Sequence, residues 1–121
     1  MDGFTNGVIG CAIEVHKQLG AGLLESSYEC CLMHELALQG IQAHCQVVLP
    51  IHYKGVEIST GYRLDILIPD KLIIELKAVD KLTPVHTAQL LTYLKLTGIK
   101  RGLIINFNVT RLVDGIKRVS L

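Results

Sequence analysis

The segment from Tyr62 to Ala78 alternates side chains with a period of two on both sides of a Pro69-Asp70 turn. Successive side chains of a β-strand point to opposite faces, so this pattern predicts a β-hairpin with one wholly apolar face. The other face brings two carboxylates and an ammonium together at mid-strand, from Asp65, Glu75 and Lys77. The apolar face consists of Leu64, Ile66, Ile68, Leu72, Ile74 and Leu76, whereas Arg63, Leu67 and Ile73 share the charged face.

This group of charges suits a particular chemistry. Two converging carboxylates are how proteins hold a hard divalent cation, and a neighbouring lysine serves phosphoryl chemistry. If the turn is centred on Asp70, then Asp65 and Glu75 are directly opposed, with Cβ atoms ~5 Å apart. A two-residue turn would place them on opposite faces. Because the apolar pattern requires the first arrangement, we predict a three-residue turn or a bulge.

Length and composition define the class of protein. The chain has 121 residues, half of them apolar, which predicts one domain over residues 1–121 with one core. No apolar run is long enough to cross a bilayer and no basic-then-apolar leader is visible, so we expect a cytoplasmic protein without a membrane partner. The four cysteines lack CxxC spacing, which favours buried, reduced thiols over structural zinc. Zinc stays open as an alternative through His16, His34 and His44.

The charges are distributed unevenly along the chain. Residues 1–50 carry one base and five acids, a balance of −4, and residues 51–121 carry eleven bases and six acids, a balance of +5. A polyanion such as nucleic acid would be attracted to the second part. Small domains often have lopsided charge, so this observation alone does not identify a partner.

Periodicity and terminators give the order of the elements. Gly20 and Gly40 are expected to end the first two helices, and Thr83-Pro84 to begin the third as N-cap and first residue. A buried strand follows that helix and is expected to pair in parallel, because a helical crossover precedes it. Helices are predicted at about 6–19, 23–39 and 84–97, and strands at about 42–53, 56–68, 71–79, 102–108 and 116–119. The order ααβββαβ(β) predicts an α/β or α+β fold with a mixed sheet covered by helices.

Side chains of two helices are further candidates for the site. Glu25 lies on the inward stripe of the second helix, although the helix dipole is the simpler explanation for a glutamate in a first turn. Gln89 and Tyr93 are four residues apart and share one face of the third helix. His86 lies on the same side, where a capping or surface role is the simpler explanation. A half-buried tyrosine on an ordinary helix surface is likewise the simpler explanation for Tyr93.

Taken together, these motifs resemble the PD-(D/E)xK nuclease superfamily. Asp65, then Glu75-Leu76-Lys77, then a helix with Gln89 and Tyr93 is similar to its RecB-like and phage-exonuclease-like branch. The segment Gly22-Leu-Leu-Glu25-Ser-Ser-Tyr28 resembles the GxxExxY proteins, a prokaryotic-type group of that superfamily. The resemblance covers nearly the whole chain. One departure is that Leu64-Asp65 stands where the superfamily has its leading Pro-Asp pair.

The resemblance implies a restriction-endonuclease-like core with the site at a splayed hairpin. Asp65, Glu75 and the Leu76 carbonyl would bind Mg²⁺ or Mn²⁺, with Glu25 as a direct or water-mediated ligand. Lys77 would orient or deprotonate the attacking water and offset negative charge in the transition state. The remaining implied site residues are Gln89 and Tyr93, which would position the water or a phosphate, and Tyr28 and His86 as accessory residues.

Three functions are compatible with these residues. The first is a metal-dependent nuclease that cleaves DNA, with RNA as the less favoured substrate. The second is a catalytically weak module of the same fold that binds nucleic acid or a protein partner, which the small size and low basicity favour. The third is a small domain whose charged strand face is a self-neutralising salt-bridge cluster. A homodimer is compatible with the apolar composition.

Overall fold

The computed structural model describes residues 3–59 and 61–121. This part of the chain forms three α-helices and seven β-strands in the order ααβββββαββ, with a short 3₁₀-helix (Leu112–Gly115) before the last strand. The helices are α1 (Gly3–Leu19), α2 (Glu25–Leu38) and α3 (Pro84–Thr97). The strands are β1 (His44–Val48), β2 (Ile51–Tyr53), β3 (Val56–Ile58), β4 (Arg63–Ile68), β5 (Leu72–Lys77), β6 (Arg101–Asn106) and β7 (Ile116–Ser120).

Five strands form one mixed sheet in the order β1-β4-β5-β6-β7, and β2 and β3 pair separately. The pairing of β5 with β6 is parallel, as predicted from the helical crossover, and the other pairs of this sheet are antiparallel. The final strand, which the sequence predicts near Ile116, is also confirmed. No helix in the described ranges is both long and apolar enough to cross a membrane.

Helices cover both faces of the five-stranded sheet, which confirms the predicted α+β architecture and is consistent with a restriction-endonuclease-like core. The first core lies between α1, α2 and one face of the sheet and includes Val8, Ala12, Tyr28, Leu32, Leu36, Ile66, Ile74, Leu103 and Phe107. The second core lies under α3 and includes Leu49, Leu64, Ile73, Leu90, Leu94, Ile104 and Val119. Neighbouring residues of β6 alternate between the two cores, as a strand buried on both faces requires.

The turn between β4 and β5 has the predicted length. Ile68 pairs with Leu72, so three residues connect the two strands. Asp70 at their centre has a left-handed backbone with φ 64°, which aspartate tolerates better than most residues. The Lys71 N–H donates to the Ile68 carbonyl at 3.0 Å and closes the turn. The predicted register of the hairpin is therefore confirmed.

The predicted apolar face of this hairpin is wrong at Leu64. The other five residues of that face lie in the core of α1 and α2, but Leu64 packs in the core of α3. The alternation changes at Asp65, where β4 separates from β5. In the register of β1 with β4, Gln46 lies opposite Asp65. The φ of Gln46 is 53°, which departs from extended backbone. The regular pleat on which the prediction depends is absent at this point.

Two long strands were also predicted where the structure has four short ones. The predicted strand at 42–53 is interrupted at Pro50, which has no N–H to donate to a ladder. The strand at 56–68 is interrupted before Gly61, whose φ is 80°; Thr60 lies outside the described residues. As a result β2 and β3 form a separate hairpin, here called the arm (residues 51–58), joined by a Lys54-Gly55 turn with both residues in left-handed backbone.

The expectation of four buried thiols is wrong for three of them. Cys11 is buried, but Cys30, Cys31 and Cys45 are exposed, and all four are free. On α2 the buried stripe consists of Tyr28, Leu32 and Leu36, so the two adjacent cysteines fall outside it. Cys45 lies on β1, an edge strand of the sheet.

Candidate active site

The candidate site lies where β4 and β5 separate. Their main-chain ladder runs only as far as the pair Ile66 and Ile74, and the next opposed residues are Asp65 and Glu75. Here the side chains replace the main-chain bonds. The Asp65 N–H donates to Glu75 Oε2 at 2.9 Å, and the Leu76 N–H donates to Asp65 Oδ2 at 2.8 Å. The two carboxylates thus occupy the gap between the strands, as the splayed hairpin of the sequence prediction requires.

The other edge of β5 stays fully paired beside this gap. The parallel ladder with β6 continues through Glu75, Leu76 and Lys77, and the Phe107 N–H donates to the Lys77 carbonyl at 2.9 Å. Since the Leu76 N–H is directed toward Asp65, the carbonyl of Leu76 lies on the same edge of β5, facing the carboxylates. Pairing with β6 therefore fixes the strand that carries the acid, the carbonyl and the lysine.

Asn106 holds the segment that follows Lys77. This side chain is buried, its Nδ2 donates to the Val79 carbonyl at 2.9 Å, and its Oδ1 accepts from the Val79 N–H at 3.1 Å. The same oxygen accepts from the Asn108 N–H at 3.2 Å. Sequence reasoning missed this role, although an asparagine within an otherwise apolar buried strand was a visible signal.

Glu75 has an unusual electrostatic environment. Its side chain is only 6% exposed. Burial, followed by the charge of the nearby Asp65 and, to a smaller extent, that of Glu25, raises the pKa of Glu75 to about 8. The hydrogen bond from the Asp65 main chain and the charge of Lys77 act in the opposite direction. The ionised form of Glu75 is therefore disfavoured in the folded protein, and added positive charge at the site would favour it.

Glu25 reaches this site from α2. It is the first residue of the helix, and its Oε2 accepts a hydrogen bond from the Ala78 N–H at 3.3 Å, one residue after Lys77. A pocket of about 230 Å³ lies between α2 and the separated strands, lined by Glu25, Ser26, Glu29, Gln46, Asp65 and Leu76. The structure thus brings Glu25 to the same pocket as Asp65 and Leu76.

Glu29 and Gln46 are pocket residues that the sequence analysis missed. Gln46 Nε2 donates to Glu29 Oε1 at 2.7 Å. Burial raises the pKa of Glu29, and the charge of Asp65 adds to this effect, while the bond from Gln46 opposes it. Glu29 follows Glu25 by four residues, so the helical period could have placed both on one face. The position of Gln46 follows from its left-handed backbone, which no sequence pattern indicated.

Tyr93 and Gln89 approach the carboxylates from α3. Tyr93 is buried, and burial followed by the charges of Glu75 and Asp65 raises the pKa of its hydroxyl, which remains neutral. The side chain of Gln89 is hydrogen-bonded to Tyr93 and partly opposes this effect. The ring of Tyr62 packs against that of Tyr93, with centroids 6.2 Å apart and an interplanar angle of 57°. The predicted pair on α3 therefore lies beside the two acids.

The two accessory candidates have structural contacts. His86 Nδ1 accepts a hydrogen bond from the Thr83 N–H at 3.1 Å and so caps the first turn of α3. Tyr28 is fully buried, and its hydroxyl donates to the Gly20 carbonyl at 2.6 Å and accepts from the Leu23 N–H at 3.1 Å. Its ring stacks on Phe107 at 4.3 Å. Tyr28 therefore holds the loop that leads into Glu25.

The donor set limits the kind of metal site that is compatible with this geometry. Over residues 3–59 and 61–121, no group of three or more His, Cys, Asp or Glu side chains is arranged to hold a metal ion. Two carboxylates and a main-chain carbonyl converge instead. Mg²⁺ is commonly bound in this way, by one or two carboxylates together with several waters and substrate phosphates.

The comparisons with known proteins agree with this geometry. The chain matches the family model of the PD-(D/E)XK nuclease superfamily over residues 2–119. Searches of curated proteins and of solved structures found no match. The matched region contains both separated strands, the acids and lysine between them and the helix that bears the glutamine and tyrosine. Because the match spans nearly the whole chain, the protein belongs to the PD-(D/E)XK nuclease superfamily.

Proposed function

We propose that this protein is a metal-dependent nuclease that hydrolyses phosphodiester bonds of DNA, and that it belongs to the GxxExxY group through Gly22, Glu25 and Tyr28. The observation that carries the proposal is the reciprocal pair of bonds between the separated strands, which fixes Asp65 and Glu75 side by side. Superfamily membership supports a nuclease. The positive balance of residues 51–121 supports a polyanionic substrate.

Asp65, Glu75 and the Leu76 carbonyl are the proposed ligands of Mg²⁺ or Mn²⁺, and Glu25 would bind directly or through a water. The raised pKa of Glu75 supports this assignment, because a cation would relieve the repulsion between the two acids. Superfamily members generally use divalent metals. Such an ion, when bound, polarises the phosphoryl oxygens and lowers the pKa of a bound water.

The other side chains have proposed roles in hydrolysis. A water oxygen forms a bond to phosphorus, the bond to the leaving sugar oxygen breaks, and that oxygen takes up a proton. Lys77 would orient or deprotonate the water and offset charge on the phosphoryl oxygens. Tyr93, whose hydroxyl is neutral at physiological pH, would donate a hydrogen bond to the water or a phosphate oxygen, and Gln89 would hold the Tyr93 hydroxyl.

Thermal unfolding of chelator-stripped protein tests the metal site. A cation that binds only the folded state stabilises it by mass action, by ~2.7 kcal/mol at a hundredfold excess over its Kd. We expect Mg²⁺, Mn²⁺ or Ca²⁺ to raise the Tm of the wild type but not that of Asp65→Ala. Glu57→Ala, which removes an exposed carboxylate of the arm, is the control and should keep the shift.

Cleavage of linear and circular DNA, double- and single-stranded, tests the activity. Asp65→Ala and Glu75→Ala should each abolish metal-dependent cleavage, while circular dichroism confirms that they fold. Cleavage that persists in both variants would refute the assignment of this site. RNA of the same sequence is the comparison for substrate class.

The second candidate is a catalytically weak module that uses the same fold to bind nucleic acid or a protein. The net charge of only +1 favours this second candidate, because tight binding of duplex DNA needs many cationic side chains. Lys77→Ala separates the two functions. In a nuclease this change removes cleavage and leaves the metal-induced shift in Tm. In a binding module it leaves the binding of nucleic acid or of the protein partner unaffected.

We also propose a cytoplasmic location and self-association into a homodimer. Four free cysteines, three of them exposed, support a reducing compartment. Exposed apolar side chains support a dimer, among them Leu24 at 75%, Val85 at 73% and Leu38 at 64% exposure. Sedimentation equilibrium measures the oligomeric state, and a monomer at all concentrations would refute the dimer.

A further inference from the structure

Tyr62 lies at the rim of the candidate site with nearly half of its surface in contact with solvent. Its side chain is 46% exposed, whereas Tyr93, on which it packs, is 5% exposed. Tyr62 precedes Asp65 by three residues and lies directly before β4. Its backbone is held in place, because the Leu49 N–H donates to the Tyr62 carbonyl at 2.9 Å and Leu49 is buried under α3. A half-exposed aromatic ring thus packs on Tyr93, the side chain that approaches the two carboxylates from α3.

We propose that the ring of Tyr62 stacks on an unpaired nucleobase next to the phosphate that is cleaved at Asp65 and Glu75, so that the protein acts on single-stranded DNA or on a single-stranded end. This inference rests on the proposed nuclease function and specifies its substrate class. Stacking of a base on an aromatic side chain is a common, sequence-tolerant way to bind single strands. Nothing in the roles proposed for Glu75, Tyr93 or Lys77 requires an exposed second tyrosine.

The surroundings of Tyr62 supply positive charge for a single strand. The exposed Arg63 follows Tyr62 directly at the end of the β1–β4 ladder. A cation next to an exposed aromatic ring in the chain complements a flexible strand that offers both phosphates and free base faces.

A single strand fits this surface better than a duplex. In a duplex the faces of each base are covered by its neighbours, so an aromatic ring gains contact only where a base is unpaired. Duplex binding depends instead on neutralising many phosphates at once. The chain has a net charge of only +1, and its first fifty residues, which include the Glu25 and Glu29 side of the site, carry −4.

Fluorescence anisotropy of a labelled oligothymidylate, measured in Ca²⁺ without turnover, tests the inference. Tyr62→Ala should weaken binding by roughly five- to 150-fold, the effect of losing one stacked base. Tyr62→Phe should stay within about twofold of the wild type, since the ring face makes the contact. Tyr53→Ala is the matched control, because Tyr53 is also exposed but lies at the turn of the arm.

An abasic oligonucleotide with the same number of phosphates isolates the base contact. Wild type and Tyr62→Ala should bind it equally weakly, and the wild type should prefer the oligothymidylate to its duplex form. Equal binding of single strand and duplex by the wild type would overturn the inference, as would an equal loss in Tyr53→Ala and Tyr62→Ala. A dimer that dissociates in Tyr62→Ala, without any loss of base-dependent binding, would assign this surface to a second copy instead.

These outcomes are separable from the failure of the proposed function. Base-dependent binding without cleavage would support the role of Tyr62 and refute the nuclease. Metal-dependent cleavage that is equally fast on duplex and single strand, and unchanged in Tyr62→Ala, would support the nuclease and refute the role of Tyr62.

Discussion

Replacing Glu75 with glutamine should stabilise the metal-free protein at neutral pH. Glu75 is 6% exposed and lies between the strands with Asp65, so its ionised form is poorly solvated and repelled by a neighbouring charge. Glutamine has nearly the same shape and keeps an oxygen that accepts the hydrogen bond from the Asp65 N–H. The substitution therefore removes a group whose ionisation favours the unfolded chain, while preserving the cross-strand contact.

The size of this effect follows from the pKa. The carboxyl has a pKa of about 8 when folded, against an ordinary value of 4.5. The folded protein therefore binds the proton more tightly than the unfolded chain, and the free energy of unfolding falls as pH rises from about 4.5 through 8. Near pH 7 the loss is on the order of 3 kcal/mol. Allowing for the amide N–H₂, which also needs a partner, we expect glutamine to recover about 2 kcal/mol.

Thermal and urea unfolding in chelator over a range of pH measure this gain. About 2 kcal/mol corresponds to a rise in Tm of roughly 6–10 °C for a chain of this size. The gain should shrink below about 1 kcal/mol near pH 5, because the carboxyl of the unfolded chain, with its ordinary pKa of 4.5, is then only partly ionised. Glu57→Gln, at an exposed carboxylate of the arm, should change stability little at either pH.

Two results would refute this reasoning. One is a Glu75→Gln variant no more stable than the wild type near pH 7 without metal. The other is a gain that does not depend on pH, which would mean that the amide improves packing or hydrogen bonding. Loss of metal-dependent activity in the same variant would show that the residue is retained for function at a cost in stability.

Three further substitutions test the packing and the pocket. Gly102→Ala should destabilise the fold by about 1–3 kcal/mol in urea unfolding, because its Cβ would lie 2.8 Å from Cδ2 of the buried Leu90. Gly10→Ala lies in α1 with nothing within 4 Å of the new Cβ and should instead stabilise the fold by about 0.5–1 kcal/mol. A stabilised Gly102→Ala or a destabilised Gly10→Ala would contradict the packing described for these two glycines. Gln46→Ala removes the hydrogen bond that favours ionised Glu29, so the pKa of Glu29 should rise. Carboxyl NMR titration measures this pKa, and a fall or no change would argue against the hydrogen bond between Gln46 and Glu29.

The sequence predicted the hairpin that forms the site because several local signals agreed. The period of two fixed the inner face at Ile66 and Ile74, and this face was compatible only with a three-residue turn. Asp70 provided a residue that tolerates the left-handed conformation of such a turn. The acids and the lysine then followed from their positions in the strands. Helix boundaries were likewise close, because Gly20, Gly40 and Pro84 mark them in the sequence.

Features that depend on a break in regular structure were not predictable. Leu64 was assigned to the wrong core because the pleat changes at Asp65, and a period of two carries no information about such a change. The position of Gln46 depends on a left-handed backbone at a residue that rarely adopts it. Glu29, by contrast, could have been found by helical spacing from Glu25, but its environment needed the tertiary contact with Gln46.

The same two bonds account for both the irregular sheet and the proposed chemistry. Each carboxylate has two oxygens, and the main-chain N–H groups engage one of each, Oδ2 of Asp65 and Oε2 of Glu75. These bonds hold the carboxylates in fixed orientations, and β5 itself cannot shift because its pairing with β6 continues through Lys77. A cation would therefore meet oxygens whose positions are already determined, so little ordering entropy would be lost on binding. The separation of β4 from β5 removes main-chain hydrogen bonds from the sheet, but it leaves room between the strands for this preorganised pair of acids.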